Sequence, residues 1–159
     1  MFKKIFILVF LSSFISSYMF ADMSGSAKKM TSFMSAEKKI IKAKKLESKG
    51  KNKKAIKLYE EAFVFLQKAN KENPIDADTL KFLGFTNLKL GNLEDAEIYY
   101  LIGLEVNPDH RGINEYLGEL YVVTKRVHMA KKRLESLKNC NCEEYSMLKD
   151  VIEGTKKPN

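Results

Sequence analysis

Gly84, Ala96 and Pro108 recur 34 positions later as Gly118, Ala130 and Cys142. An interval of that length, with small residues at matching phases, marks a pair of antiparallel helices repeated along the chain, each pair burying its apolar face against the next. Such a chain stacks into a short solenoid instead of wrapping around one centre. Its 3 Pro lie at the edges of the pattern, and the Lys, Glu and Leu between them recur at helical spacing without strand-like alternation. The expected fold class is all-α.

The clearest unit spans 77–110. Leu80, Leu83 and Gly84 fall on its first helix, Gly91 at the turn, Ala96, Tyr100 and Gly103 on its second helix, and Pro108 at the exit. Gly84 and Ala96 are small where the helices cross, because a larger side chain would push the axes beyond the usual distance of about 8–10 Å. Gly91 supplies the left-handed residue that ends the first helix, leaving Asn92 to cap the second. Pro108 stops the second helix. With these residues in these places, the unit resembles the tetratricopeptide repeat over its whole length, departing from it at Asn87, where that family usually carries an aromatic.

The neighbouring units share the phase. Residues 111–144 keep it through Leu117, Gly118, Tyr121, Ala130, Leu134 and Leu137, with Lys125 at the place of the turn glycine. Residues 36–76 carry Ala43, Gly50, Ala55 and Ala62 in the small and turn places, but the closing Pro74 arrives seven residues late. Two extra turns should therefore carry that helix about 10 Å past its neighbours. Phe63, Phe65 and Leu66 lie in or near the extension. They either pack on the leader or the first helix, or form an exposed apolar ledge. Residues 145–153 read as a lone capping helix, so the expected solenoid (36–153) has three units plus a cap, followed by a disordered tail at 154–159.

The segment 1–21 has a secretory signal pattern: Lys3 and Lys4, an apolar run from 5 to 15, and Ala21 as a small residue for cleavage. Export to the bacterial periplasm or beyond is expected, the alternative being an uncleaved anchor in the inner membrane. Residues 22–35, rich in Ser, Met and Lys, read as a flexible leader with order beginning near Ala36.

The formal charge is +8, but of the 28 basic residues only Arg111, Arg126 and Arg133 are Arg. Nucleic-acid sites lean on Arg for bidentate contacts, so no nucleic-acid partner is expected. Charge divides by unit, with +7 over 36–75, −5 over 76–110 and +2 over 111–144. The Lys-rich first unit is a solvated face or a site for an anionic lipid or polymer, and opposite charge on successive units permits self-association.

The resemblance implies that the first helix of each unit lines an inner groove holding a protein or peptide partner. Carried over position by position, it places Lys44, Lys81, Phe85, Leu88, Lys89, Glu115, Glu119 and Val122 there. The family's Lys/Asn clamp for a terminal carboxylate is missing, since Ile40, Phe82 and Gly112 occupy its positions. The segment Cys142-Glu143-Glu144-Tyr145 with Leu148 is similar to the Cys-containing join before the cap helix of some exported alphaproteobacterial repeat proteins, in which the cysteines stand further apart. Whether Cys140 and Cys142 pair, pack passively or exchange disulfides stays open at this level, because two cysteines separated by one residue fit the preferred bridge geometry poorly.

Nothing in the spacing supports catalysis, a metal or a cofactor. No Gly-rich phosphate loop is present, and His110 and His128 sit at repeat edges. The expectation is a non-catalytic adaptor of the bacterial envelope that binds a peptide or protein segment. Two alternatives stand beside it: a periplasmic thiol-disulfide factor using Cys140 and Cys142, and a Lys-rich module for anionic surfaces.

Overall fold

The computed structural model describes residues 31–159; the segment 1–21, where a signal is expected, and 22–30 of the expected leader lie outside the described residues. Seven helices follow one another, and no strand occurs among the described residues. They are α1 (helical from 31 to 47), α2 (Asn52–Glu72), α3 (Ala77–Leu90), α4 (Leu93–Val106), α5 (Arg111–Val123), α6 (Val127–Ser136) and α7 (Glu143–Ile152). α1 meets α2 through shared core residues, α3 packs on α4 and α5 on α6, and α7 closes the stack by packing on both α5 and α6. Because α3 also touches α5, the first helices of successive units share one side of the solenoid.

Local chemistry sets the ends of these helices. Asp76 caps α3 by accepting from the Thr79 amide, and α3 ends at Gly91, whose φ of 85° is left-handed. Lys125 holds the equivalent turn after α5 at a φ of 61°, a conformation disfavoured for a residue with a Cβ. His110 caps α5, its Nδ1 accepting from the Ile113 amide at 3.3 Å. The late Pro74 has the consequence its position implies, since α2 runs for 21 residues against 14 in α4.

The core is a stripe in two clusters. Ala36, Ile40 and Ala43 of α1 meet Ala55, Tyr59, Ala62 and Leu66 of α2 and Leu83 and Phe85 of α3. Ala96, Tyr100 and Leu104 of α4 meet Ile113, Leu117, Leu120 and Tyr121 of α5 and Ala130 of α6. The repeat glycines sit where these layers touch. Gly84 gives way to the Tyr100 ring, and Gly118 to the Leu148 side chain of the cap helix. Each buried Leu contributes about 1.5–3 kcal/mol relative to exposure, so the stripe carries most of the stability.

Several expectations need correction. Residues 31–35 already belong to α1, because Ser32 is buried and Phe33 packs on Phe82 at 5.7 Å between ring centres. Of the two readings of Phe63, Phe65 and Leu66, packing holds: Leu66 is buried, and Phe63 and Phe65 pack against the first cluster. Asn87 is hydrogen-bonded in the interior, donating to the Leu83 carbonyl at 2.9 Å and accepting from Asn92 at 3.2 Å. Asn92 thereby spends its side chain on Asn87 and forms no side-chain cap to α4. The segment 154–159 is not loose but folds back onto α5, where Asn159 meets Glu119.

Candidate functional site

The inner wall is built by α1, α3 and α5, and one lysine joins all three. Lys44 of α1 places Nζ 4.4 Å above the centre of the Phe85 ring of α3 and 5.5 Å from that of Tyr116 of α5. It also donates to the Tyr116 hydroxyl at 3.3 Å. Burial lowers the pKa of Lys44, Lys89 lowers it further, and Glu115 opposes both. Phe85 forms the floor of this arrangement: it is fully buried, with Tyr59 edge-on at 5.8 Å and Tyr116 tilted at 5.2 Å.

A second lysine seals the α1/α3 side. Lys89 pairs with Glu47 at 2.7 Å, and the same carboxylate accepts from the Tyr59 hydroxyl at 2.9 Å. Burial first, then the bond to Glu47, pushes the Tyr59 phenol well above its ordinary value, so it stays a donor. Lys81 lies nearer the N-terminal end of α3, paired with Asp78 at 2.6 Å and set over the Phe82 ring at 4.4 Å. Asp78 also faces His110 Nε2 at 3.4 Å.

The α5 side of the wall is acidic. Glu115 and Glu119 are one helical turn apart and so share a face; they are only 3% and 1% exposed. Glu119 accepts from the main-chain nitrogen of Asn159 at 2.9 Å and from its Nδ2 at 3.1 Å. Glu115 Oε1 is buried and has no hydrogen-bond partner. Burial, reinforced by Glu119 and Glu144, pushes the Glu115 carboxyl up to about 8, with Lys44 and Lys156 acting against the shift. Burial raises Glu119 too, opposed by its bonds to Asn159.

The residues placed on the groove from sequence therefore divide. Lys44, Lys89, Glu115 and Glu119 are gathered around Phe85 and Tyr116, whereas Leu88 and Val122 pack against the second core cluster. Tyr59, Tyr116 and Asn159 complete the arrangement and were not anticipated. The repeat positions carried over from the resemblance do not include either tyrosine, and the polar segment carrying Asn159 has no periodicity to mark it.

Away from the wall, Cys140 and Cys142 are joined in a disulfide with Cα atoms 5.2 Å apart. The intervening Asn141 takes a left-handed φ of 47°, which lets two cysteines so close in sequence turn toward each other. No cluster of His, Cys, Asp or Glu suited to a metal occurs among the described residues. No helix among them is long and apolar enough to cross a membrane.

No protein-family model matches the chain, and no curated protein matches it. Solved structures do. The tetratricopeptide-repeat domain of Arabidopsis OM64 is similar with a TM-score of 0.51 at 14% identity, covering 79% of this chain and 99% of that one. A tetratricopeptide repeat protein from Parabacteroides merdae gives 0.51 at 18% identity, covering 77% of this chain and 61% of that one. The first such domain of Spaghetti (RPAP3), bound to the HSP90 peptide SRMEEVD, gives 0.49 at 18%, covering 77% and 94%. The architecture is that of a tetratricopeptide-repeat solenoid.

Proposed function

We propose that this chain is a non-catalytic adaptor that holds a peptide or protein segment against the inner wall formed by α1, α3 and α5, and that it does so in the bacterial envelope. One observation carries the reading. The wall presents lysines on one side and buried acids on the other across a floor of Phe85 and Tyr116, with Glu115 Oε1 left without a hydrogen bond. Extended or helical segments with an apolar centre and flanking charges suit such a surface. The wall supplies no nucleophile set beside a base, so recognition is its natural work.

Photocrosslinking tests this. A crosslinking residue at Lys81 or Lys89 should yield specific adducts in envelope extract, whereas the same residue at exposed Lys57 or Glu60 on the outer α2 should not. Equal yields from both faces would overturn the groove. The envelope assignment predicts a mature chain of reduced mass, lacking residues 1–21, in the periplasmic fraction; recovery of the full-length chain from cytoplasm would overturn it.

A second reading is favoured by the exposed row Lys38, Lys42, Lys45, Lys49, Lys53 and Lys57 on the first unit. Such a face suits an anionic lipid or polymer. Sedimentation with anionic vesicles should then be reversed by moderate salt.

A further inference from the structure

Glu119 already holds a ligand of sorts. Its two oxygens receive one main-chain N–H and one carboxamide N–H from a residue 40 positions away, Asn159. An acid on a groove wall would read any extended peptide in the same way, through its backbone and one donor side chain. The neighbouring Glu115 is buried, shares that face, and has Oε1 without a partner. No hydrogen bond from Lys44 reaches that oxygen; the one it makes goes to the Tyr116 hydroxyl. The subsite is therefore half filled.

The segment 155–159 that fills it is held at its two ends. Gly154, at a φ of 75°, reverses the chain after α7, and the amides of Thr155 and Lys156 donate to the Asp150 carbonyl at 2.9 and 3.2 Å. Beyond that turn, the contacts with Glu119 are the hydrogen bonds that tie the segment to the body among the described residues. Lys156 and Lys157 are exposed, and Lys156 acts electrostatically on both acids. A basic segment thus acts on an acidic pair.

We infer that Glu115 and Glu119 form a subsite for a basic, hydrogen-bond-donating stretch of an extended peptide, with the segment 155–159 as its resident competitor. The inference rests on the groove reading above and adds both the partner's chemistry and its regulation. A partner must displace Asn159, so the apparent affinity is reduced by the fraction of chains in which the subsite is open.

The probe is a fluorescent peptide with the sequence of residues 154–159, measured by anisotropy against the full chain. Asn159→Pro removes both donors at once, because proline lacks the amide hydrogen and the carboxamide. That variant should bind the probe about tenfold tighter than the parent, as an open subsite replaces an occupied one. Adding Glu119→Gln to it should return binding to the weak level. A deletion of 155–159 provides a second opened form if Asn159→Pro perturbs folding, which thermal melts report. Equal binding by the parent and both opened forms, or binding that survives Glu119→Gln, would overturn the subsite. Crosslinking at Lys81 and Lys89 in the same variants separates the two readings: adducts unchanged by Asn159→Pro and Glu119→Gln sink the subsite and leave the groove, and no inner-wall adduct in any variant sinks the groove itself.

Discussion

The backbone of Gly84 lies flush against the ring of Tyr100, so closely that a Cβ at position 84 would overlap the ring. Both are fully interior, and the phenol oxygen of Tyr100 is buried without a partner, so the ring has no easy outward path. Gly84→Ala should therefore destabilise the chain by about 2 kcal/mol through overpacking. Denaturant melts of that variant should show a lower midpoint. An unchanged midpoint would mean that α3 and α4 can part freely.

Stability should decline with rising pH through a window set by Glu115. Its carboxyl is raised from 4.5 to about 8 in the folded chain, so the fold binds the proton more tightly than the unfolded state does. The contribution is complete below 4.5 and is lost as pH climbs towards about 8. Glu97 acts in the opposite direction, since its bond to Arg126 holds it below the usual range and its contribution disappears only in acid. Glu115→Gln should flatten the decline on the alkaline side, read as denaturation midpoint against pH; a parallel slope in the variant would assign the effect elsewhere.

Lys44 should matter for holding the first unit to the third. Its ammonium is shared between the Phe85 and Tyr116 rings. Lys44→Met keeps the stem and removes the charge, which should cost about 1 kcal/mol for a partly desolvated cation over aromatic faces. Hydrogen exchange should speed up along α1 while α6 stays protected. Uniform change over both helices would argue against a local tie.

The disulfide should act on the cap helix and not on recognition. Cys142 occupies the N-cap position of α7, and its bridge closes a loop from Cys140. Replacing both with Ser should cost about 1–2 kcal/mol, the low end expected for a very short loop. Faster exchange at the start of α7 with crosslinking at Lys89 unaltered is the expected pattern. Loss of adducts in the double Ser variant would favour the thiol-dependent alternative.

Much of the scaffold was legible from small residues. Gly84, Ala96 and Gly118 announced close helix contacts, because only small side chains allow them, and the delayed Pro74 announced the long α2. Asn87 stood out only as a departure from the repeat's usual aromatic, yet its side chain closes a local bond network with Leu83 and Asn92 that no single-residue rule anticipates. Counting repeat positions named Lys44, Lys89, Glu115 and Glu119 but not their partners.

Periodicity by itself determined that the chain is helical, where the turns fall, and which face of each helix is apolar, because those properties follow from spacing along one chain. The partnerships at the inner wall were decided only in three dimensions. Lys44 meets Tyr116 across 72 positions and Asn159 meets Glu119 across 40. Contacts at such separations depend on how far the stacked pairs curl toward each other. That curl is set by the fit of Tyr100 on Gly84 and of Leu148 on Gly118, a property of packed volumes and not of any residue read alone.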